Sequence, residues 1–281
     1  MPSRFVFNLA PTGVVPTKEV NPSVPTSSSE IAEQVLECAE LGVNMVHLHA
    51  RDPQTGEHSP DKTEYARIIA EIRRHAPTLL ICVTTSGREV PQLERRAAVL
   101  ELDGHLKPDF ASLTLSSLNF SHEASVNAPE TILGLVRRMR ANGIRPELEV
   151  FDLGMVNYAH YLLAKGLIAP PHYFNVILGG PAGAQADPLH LGLMVRDLPD
   201  GSIWSGGGFG HHQLSVNTMA LASGGGIRVG LEDNLWMDSE RSQPATNRQL
   251  VERARETAEL LGRHPYTSAE LRDALGLAAL H

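Results

Sequence analysis

The chain has 281 residues, enough for one large α/β domain or two smaller ones; 42% are hydrophobic and 20% charged, as in an ordinary soluble globular protein. A formal net charge of −8 argues against nucleic acid as a partner, since such a binder needs a basic stripe. The two cysteines, Cys38 and Cys82, suggest neither a disulfide framework nor a zinc knuckle, and no apolar run is long enough to span a membrane bilayer.

The start, MPSRFVFNLAPTG, enters a strand directly over Arg4–Ala10 and lacks the apolar core of a signal peptide, so a cytoplasmic enzyme is expected. Helical spacing follows from Ser28 to Leu41, with serines as N-caps and Gly42 as a stop. Strand signals recur at Val43–Ala50, Leu79–Thr85, Phe110–Leu115, Glu147–Asp152, His172–Leu178, Ser202–Ser205 and Ile227–Leu231. Helical signals alternate with them at Asp61–His75, Val90–Leu102, Pro129–Ala141, Met155–Lys165, Pro188–Leu198, Gln213–Ala222 and Asn247–Leu261. About eight βα units in this length predict a (β/α)₈ TIM barrel. A doubly wound sheet is the alternative, but no GxGxxG follows the first strand. Residues 1–281 are read as a single barrel domain with a short helical extension from about residue 264, suited to packing on a neighbouring subunit.

Barrel chemistry belongs at the C-terminal ends of the strands. The second strand ends in VHLHARD, where His47 and His49 share a face because alternate side chains do. Two such histidines fit a metal clasp or a pair of buried imidazoles. The third strand ends in Thr84, Thr85, Ser86 and Gly87; the fourth carries Ser112, Thr114 and Ser116 on one face. Glu149, flanked by Leu148, Val150 and Phe151, points inward and needs a cation, metal or proton, whereas Glu147 reads as a surface or strand-start charge. Arg228 poses the same problem with opposite sign, and the two can share one charged layer. The last strand exits through Glu232 and Asp233 beside the first, so one of them can join the two imidazoles and leave an open position, as catalytic zinc requires. The other is then free to act as a base. His211 and His212 are adjacent and cannot both face one point, while His58, His75, His160 and His264 lie in surface-like contexts.

Three rivals remain at this level. A Schiff-base aldolase needs a lysine inside a strand, and none of the four lysines occupies one. A flavin or nicotinamide oxidoreductase can use the glycine-rich stretches Gly179–Gly183 and Gly206–Gly210 to hold phosphate, and another metal-dependent barrel lyase or hydrolase can use the same metal clasp. A binding barrel without catalysis needs no converging acid, arginine and metal.

The segments APTG (Ala10–Gly13), NPSVPTSSSEIA (Asn21–Ala32), HLHARD (His47–Asp52), KPDFASL (Lys107–Leu113), PELEVFDLGM (Pro146–Met155) and IRVGLEDN (Ile227–Asn234) together resemble the β-keto acid cleavage enzymes, whose founding activity is 3-keto-5-aminohexanoate cleavage. The resemblance implies a zinc-dependent barrel, usually a homotetramer, that converts a β-keto acid and acetyl-CoA into acetoacetate and a new CoA ester by retro-Claisen chemistry. It implies His47, His49 and Glu232 as zinc ligands, Asp233 as general base, and Arg228 and Glu149 as residues that hold and tune it. Ser112, Thr114 and the Thr84–Gly87 turn, with Thr85 and Ser86 inside it, then face the substrate carboxylate and keto group. Amino-substrate members carry a glutamate shortly after the TG turn, where this chain has Val15, and serine where it has Thr84. An apolar or acidic substrate tail is therefore expected, with Lys18 the nearest cation for an acidic one. For Arg51 and Asp52 the expectation is a structural salt bridge below the loop.

Overall fold

The computed structural model describes residues 3–277; positions 1–2 and 278–281 of the expected domain lie outside them. Eight parallel strands close a barrel: β1 (Phe7–Leu9), β2 (Met45–Leu48), β3 (Leu80–Val83), β4 (Phe110–Thr114), β5 (Arg145–Val150), β6 (His172–Leu178), β7 (Ser202–Gly208) and β8 (Gly226–Val229). β8 pairs with β1 through Arg228 and Asn8, and β1 with β2 through Leu9 and Val46, so the last strand exits within reach of the second. The outer ring is α1 (Ser28–Glu40), α2 (Lys62–His75), α3 (Leu93–Ala97), α4 (Pro129–Ala141), α5 (Leu153–Ala164), α6 (Pro188–Arg196), α7 (His212–Ala222) and α8 (Asn247–Leu260). Local chemistry starts several of these helices: Ser27 and Glu30 form a capping box on α1, as do Thr246 and Gln249 on α8, and Asp152 caps α5.

Strand alternation sorts the core. Val46, Leu48, Ile81, Val83, Leu113, Leu148 and Val176 face outward into the main apolar layer beneath the helices. The opposite face fills the barrel, beginning with Met45, Leu80, Phe110 and Tyr173 at the strand starts. The C-terminal extension, α9 (Ser268–Ala274), plugs that end: Leu271 and Leu275 join the same cluster, and Arg272 donates to Asp109 at 2.8 Å. The apolar face of this extension is spent on its own barrel floor.

Two further boundaries differ from the sequence reading. β7 runs on to Gly208, because Gly206–Gly208 pair with Val176–Leu178 although no side chain marks them as strand. A β-carbon at Gly206 would lie 2.7 Å from Ala220, and one at Gly208 2.7 Å from the His212 carbonyl oxygen, so these glycines let α7 approach. They do not form a loop able to cradle phosphate. The stretch expected as a helix over Val90–Leu102 is broken into α3 and a 3₁₀ turn at Ala98–Glu101. A short hairpin, Leu118–Asn119 with Ala124–Ser125, had no signature in the sequence pattern and stands over the barrel mouth.

Candidate active site

One cavity opens at the C-terminal end of the barrel and is lined by His47, His49, Arg228, Glu232, Asp233 and Glu149, together with Thr84, Ser86, Thr114 and Val15. One donor atom from each of His47, His49 and Glu232 lies within 4.8 Å of the others. The Glu232 carboxylate is delivered by two glycines. A β-carbon at Gly13, in the APTG turn, would run into the Glu232 side chain. Gly230 takes φ 144° with its Cα against the Ala10 carbonyl, a conformation and an approach open to glycine alone.

Arg228 is the hub. It is 2% exposed and donates through Nε to Asp233 Oδ2 at 2.8 Å, pairs through Nη2 with Glu232 Oε1 at 2.7 Å, and approaches Glu149 Oε1 with Nη1 at 3.7 Å. Thr114 Oγ1 donates to Glu149 Oε2 at 2.7 Å. The shared charged layer expected of Glu149 and Arg228 is therefore present. Burial pushes the Glu149 and Asp233 carboxyls upward, against the pull of Arg228, which prevails at Glu232 and holds it far below the usual carboxylate range. Three carboxylates around one guanidinium leave about two negative charges to be balanced, which suits a divalent cation.

Beneath His47 sits the residue that the sequence reading misplaced. Glu147 is fully buried, not a surface charge, and its Oε2 lies 2.5 Å from His47 Nδ1. Its other oxygen accepts from Asn8 Nδ2 at 3.0 Å and Asn175 Nδ2 at 2.6 Å, and the Cys82 thiol donates to Oε2 at 3.2 Å. Although burial opposes it, the facing carboxylate raises His47 to about 9. A neutral His47 must keep its proton on Nδ1, which turns the Nε2 lone pair toward the cavity, the usual orientation of a metal-ligating imidazole. His49 Nδ1 and Glu232 Oε2 are buried and have no hydrogen-bond partner among the described residues. Two imidazoles, one carboxylate and these unsatisfied atoms fit a catalytic metal centre. An expected result follows: Glu147→Gln should weaken metal binding about 10- to 100-fold, measured by competition with a chromogenic chelator, while the fold is retained.

Other expected residues fall elsewhere. Ser112 Oγ accepts from Thr85 N–H at 3.1 Å and Thr85 Oγ1 donates to the Ser112 carbonyl at 2.6 Å, so each hydroxyl engages the other residue's backbone, and neither residue lines the cavity. Gly87 packs against Arg96 rather than lining the cavity; a β-carbon there would lie 2.9 Å from the Val126 carbonyl oxygen. Lys18 forms an ion pair with Glu30 outside the cavity. Arg51 makes no salt bridge with Asp52: it is 2% exposed and donates to the carbonyls of Pro16 at 2.8 Å and Gly56 at 3.0 Å and to Thr12 Oγ1 at 3.1 Å, fixing the loop that carries Val15. Asp52 accepts from Gln54 and Thr55 N–H in its own turn. His58 is not on the surface; its ring lies edge-on to His49 at 5.4 Å, and burial lowers it to about 3. The rings of His211 and His212 lie 3.9 Å apart and tilted by 42°, and neither lines the cavity.

A family model described as beta-keto acid cleavage enzyme matches residues 4–277. The chain belongs to the β-keto acid cleavage enzyme family. A curated relative, the 3-keto-5-aminohexanoate cleavage enzyme of Fusobacterium nucleatum, is 34% identical over 99% of both chains. The 3-oxoadipate:acetyl-CoA acetyltransferase of Cupriavidus necator is 35% identical over 100% of this chain and 97% of its own. Among solved structures, ObcA superposes with a TM-score of 0.82 at 22% identity, covering 92% of this chain and 66% of that one, a likeness of fold. Both the family resemblance and the barrel read from the sequence are thus borne out, and the protein is a β-keto acid cleavage enzyme. No helix among the described residues is long and apolar enough to cross a membrane.

Proposed function

We propose that this β-keto acid cleavage enzyme uses acetyl-CoA as co-substrate and a zinc ion held by His47, His49 and Glu232, and that its β-keto acid carries no cationic tail. The observation that carries the reading is the cluster of those three donors at the mouth, backed by Glu147 and flanked by Arg228. Zinc bound there supplies Lewis acidity to the substrate's keto oxygen. Asp233 lines the same cavity, and burial raises its carboxyl, which strengthens it as a proton acceptor. It takes the most acidic carbon-bound proton, between the keto and carboxyl groups. Arg228 fixes the angle of that carboxylate, and Thr114 fixes Glu149 beside it. The products are acetoacetate, built from the substrate's two-carbon acid end and the acetyl group, and a CoA ester of the remaining acyl chain.

Relatives differ in the tail named in their substrates: an amino group in 3-keto-5-aminohexanoate, a second carboxylate in 3-oxoadipate, a quaternary ammonium in 3-dehydrocarnitine. Val15 lines this cavity where, by the family resemblance, amino-substrate members would carry a glutamate, so a cationic tail has no carboxylate at that position to meet it. Metal analysis of the purified enzyme is expected to find about one zinc per chain, and its removal by chelation to abolish acetoacetate formation from acetyl-CoA and a panel of β-keto acids. Full activity in a metal-free preparation would sink the reading.

A further inference from the structure

Above the charged floor, the cavity wall is apolar. Val14, Val15 and Leu118 line it with Phe120, Phe151 and Phe209, whose ring centroids lie 6.0 to 6.2 Å apart. Into this wall projects a cation, Arg88, from the loop after β3. Its guanidinium carbon stands 4.0 Å over the Phe120 ring, and its side chain is 18% exposed. Nε donates to Glu123 at 2.9 Å, while Nη1 and Nη2 make no hydrogen bond among the described residues. A guanidinium so held has its fork free for a planar anion. Lys18, the cation expected from the sequence, is bound to Glu30 outside the cavity and does not compete for that role.

We propose that Arg88 is the specificity residue of this enzyme. Its terminal N–H groups receive the distal carboxylate of a dicarboxylic β-keto acid, so the acyl chain passed to coenzyme A ends in a carboxylate. The inference rests on the cleavage reading above and deepens it by naming the substrate class. Neutral Val15 belongs to the same design: it lines the same cavity as Arg88, where a glutamate would repel the incoming tail. Glu123 engages Nε alone and leaves the fork to the ligand.

The bland role for Arg88 is a clamp that pins the hairpin through Glu123 and Phe120. Substrate pairs separate the two roles. With 3-oxoadipate and 3-oxohexanoate, matched in carbon count, the wild-type enzyme is expected to favour the diacid in kcat/KM by about 10-fold or more. Arg88→Gln should cost about 10- to 100-fold on the diacid, chiefly through KM, and leave the neutral acid within about twofold. A clamp would depress both substrates alike, and that result overturns the proposal. Preference for the neutral acid in the wild type overturns it too. Repeating the pair with acetyl-dephospho-CoA covers the other anion at hand: if the Arg88→Gln penalty disappears there, the arginine reads the coenzyme's phosphate and the proposal fails. Should no β-keto acid be cleaved, the cleavage reading falls by itself, and calorimetric titration of adipate against hexanoate still decides the subsite. Adipate binding that is lost in Arg88→Gln supports it; equal binding of the two acids refutes it.

Discussion

Asp233→Asn is expected to keep its fold and its metal and to lose turnover by about two to four orders of magnitude. The side chain is 1% exposed and anchored by Arg228 Nε, so an isosteric amide can hold the same place through its oxygen. Arg228 retains Glu232 and Glu149 as partners in the variant, which protects the structure from an unpaired guanidinium. What disappears is the proposed proton acceptor. Circular dichroism and metal content should match the wild type while kcat falls. The alternative base is Glu149, likewise pushed up by burial and facing the same cavity. If Asp233→Asn retains most activity and Glu149→Gln removes it, the two carboxylates exchange roles. If Asp233→Asn loses metal, Asp233 has been misassigned and belongs to the ligand set.

The fold was legible because period-two and period-3.6 patterns alternate cleanly, and several helix starts carry their caps in the sequence, among them Ser27, Asp61, Asp152, Asp187 and Thr246. The candidate metal donors were legible for a related reason. His47 and His49 are two residues apart on a strand, and closing the barrel brings the exit of β8 beside them through β1. Glu147 was equally accessible and was missed: if Glu149 points inward, a residue two places earlier on the same strand does so as well. Its place near the strand start favoured a surface reading, but a barrel interior keeps a polar layer wherever the hydrogen-bonding groups are complete, here Asn8, Asn175, Cys82 and His47.

The wall of the cavity was not legible, and for a physical reason. Arg88, Phe120 and Phe209 lie on loops or at strand exits, where no periodicity assigns a direction to a side chain. The hairpin that brings Phe120 and Ser125 over the mouth has strands of two residues each, too short to register as a pattern. Lys18 was judged the nearest cation by distance along the chain, yet the loop that carries Val15 is fixed by Arg51 and leaves Lys18 outside. The candidate metal donors were therefore readable from the strand pattern, while the residues of the cavity wall were set by irregular structure.

The same charged layer carries the largest stability effect. Arg228→Met removes the guanidinium that faces Glu149, Glu232 and Asp233 and puts an apolar chain of similar length in its place. Leaving such carboxylates buried and unpaired costs about 3–5 kcal/mol, a large share of the stability of a domain this size. The loss should depend on metal. A divalent ion offsets the carboxylate it binds, so chelated enzyme is expected to lose more stability than zinc-loaded enzyme on the same substitution. Denaturant unfolding of wild type and variant, each with zinc and with chelator, measures that coupling directly. Arg228→Lys should rescue only in part, because a single ammonium cannot span three carboxylates that the guanidinium meets through different nitrogens. Gly207 adds a steric reason for keeping arginine: a β-carbon there would lie 3.3 Å from Arg228 Cβ, so the strand beside it has been left bare to seat this side chain. A variant as stable as the wild type in chelator would mean that the three carboxyls are protonated in the folded protein, and would remove the charge argument for a divalent ion. An equal loss with and without zinc would instead place the metal away from Glu232.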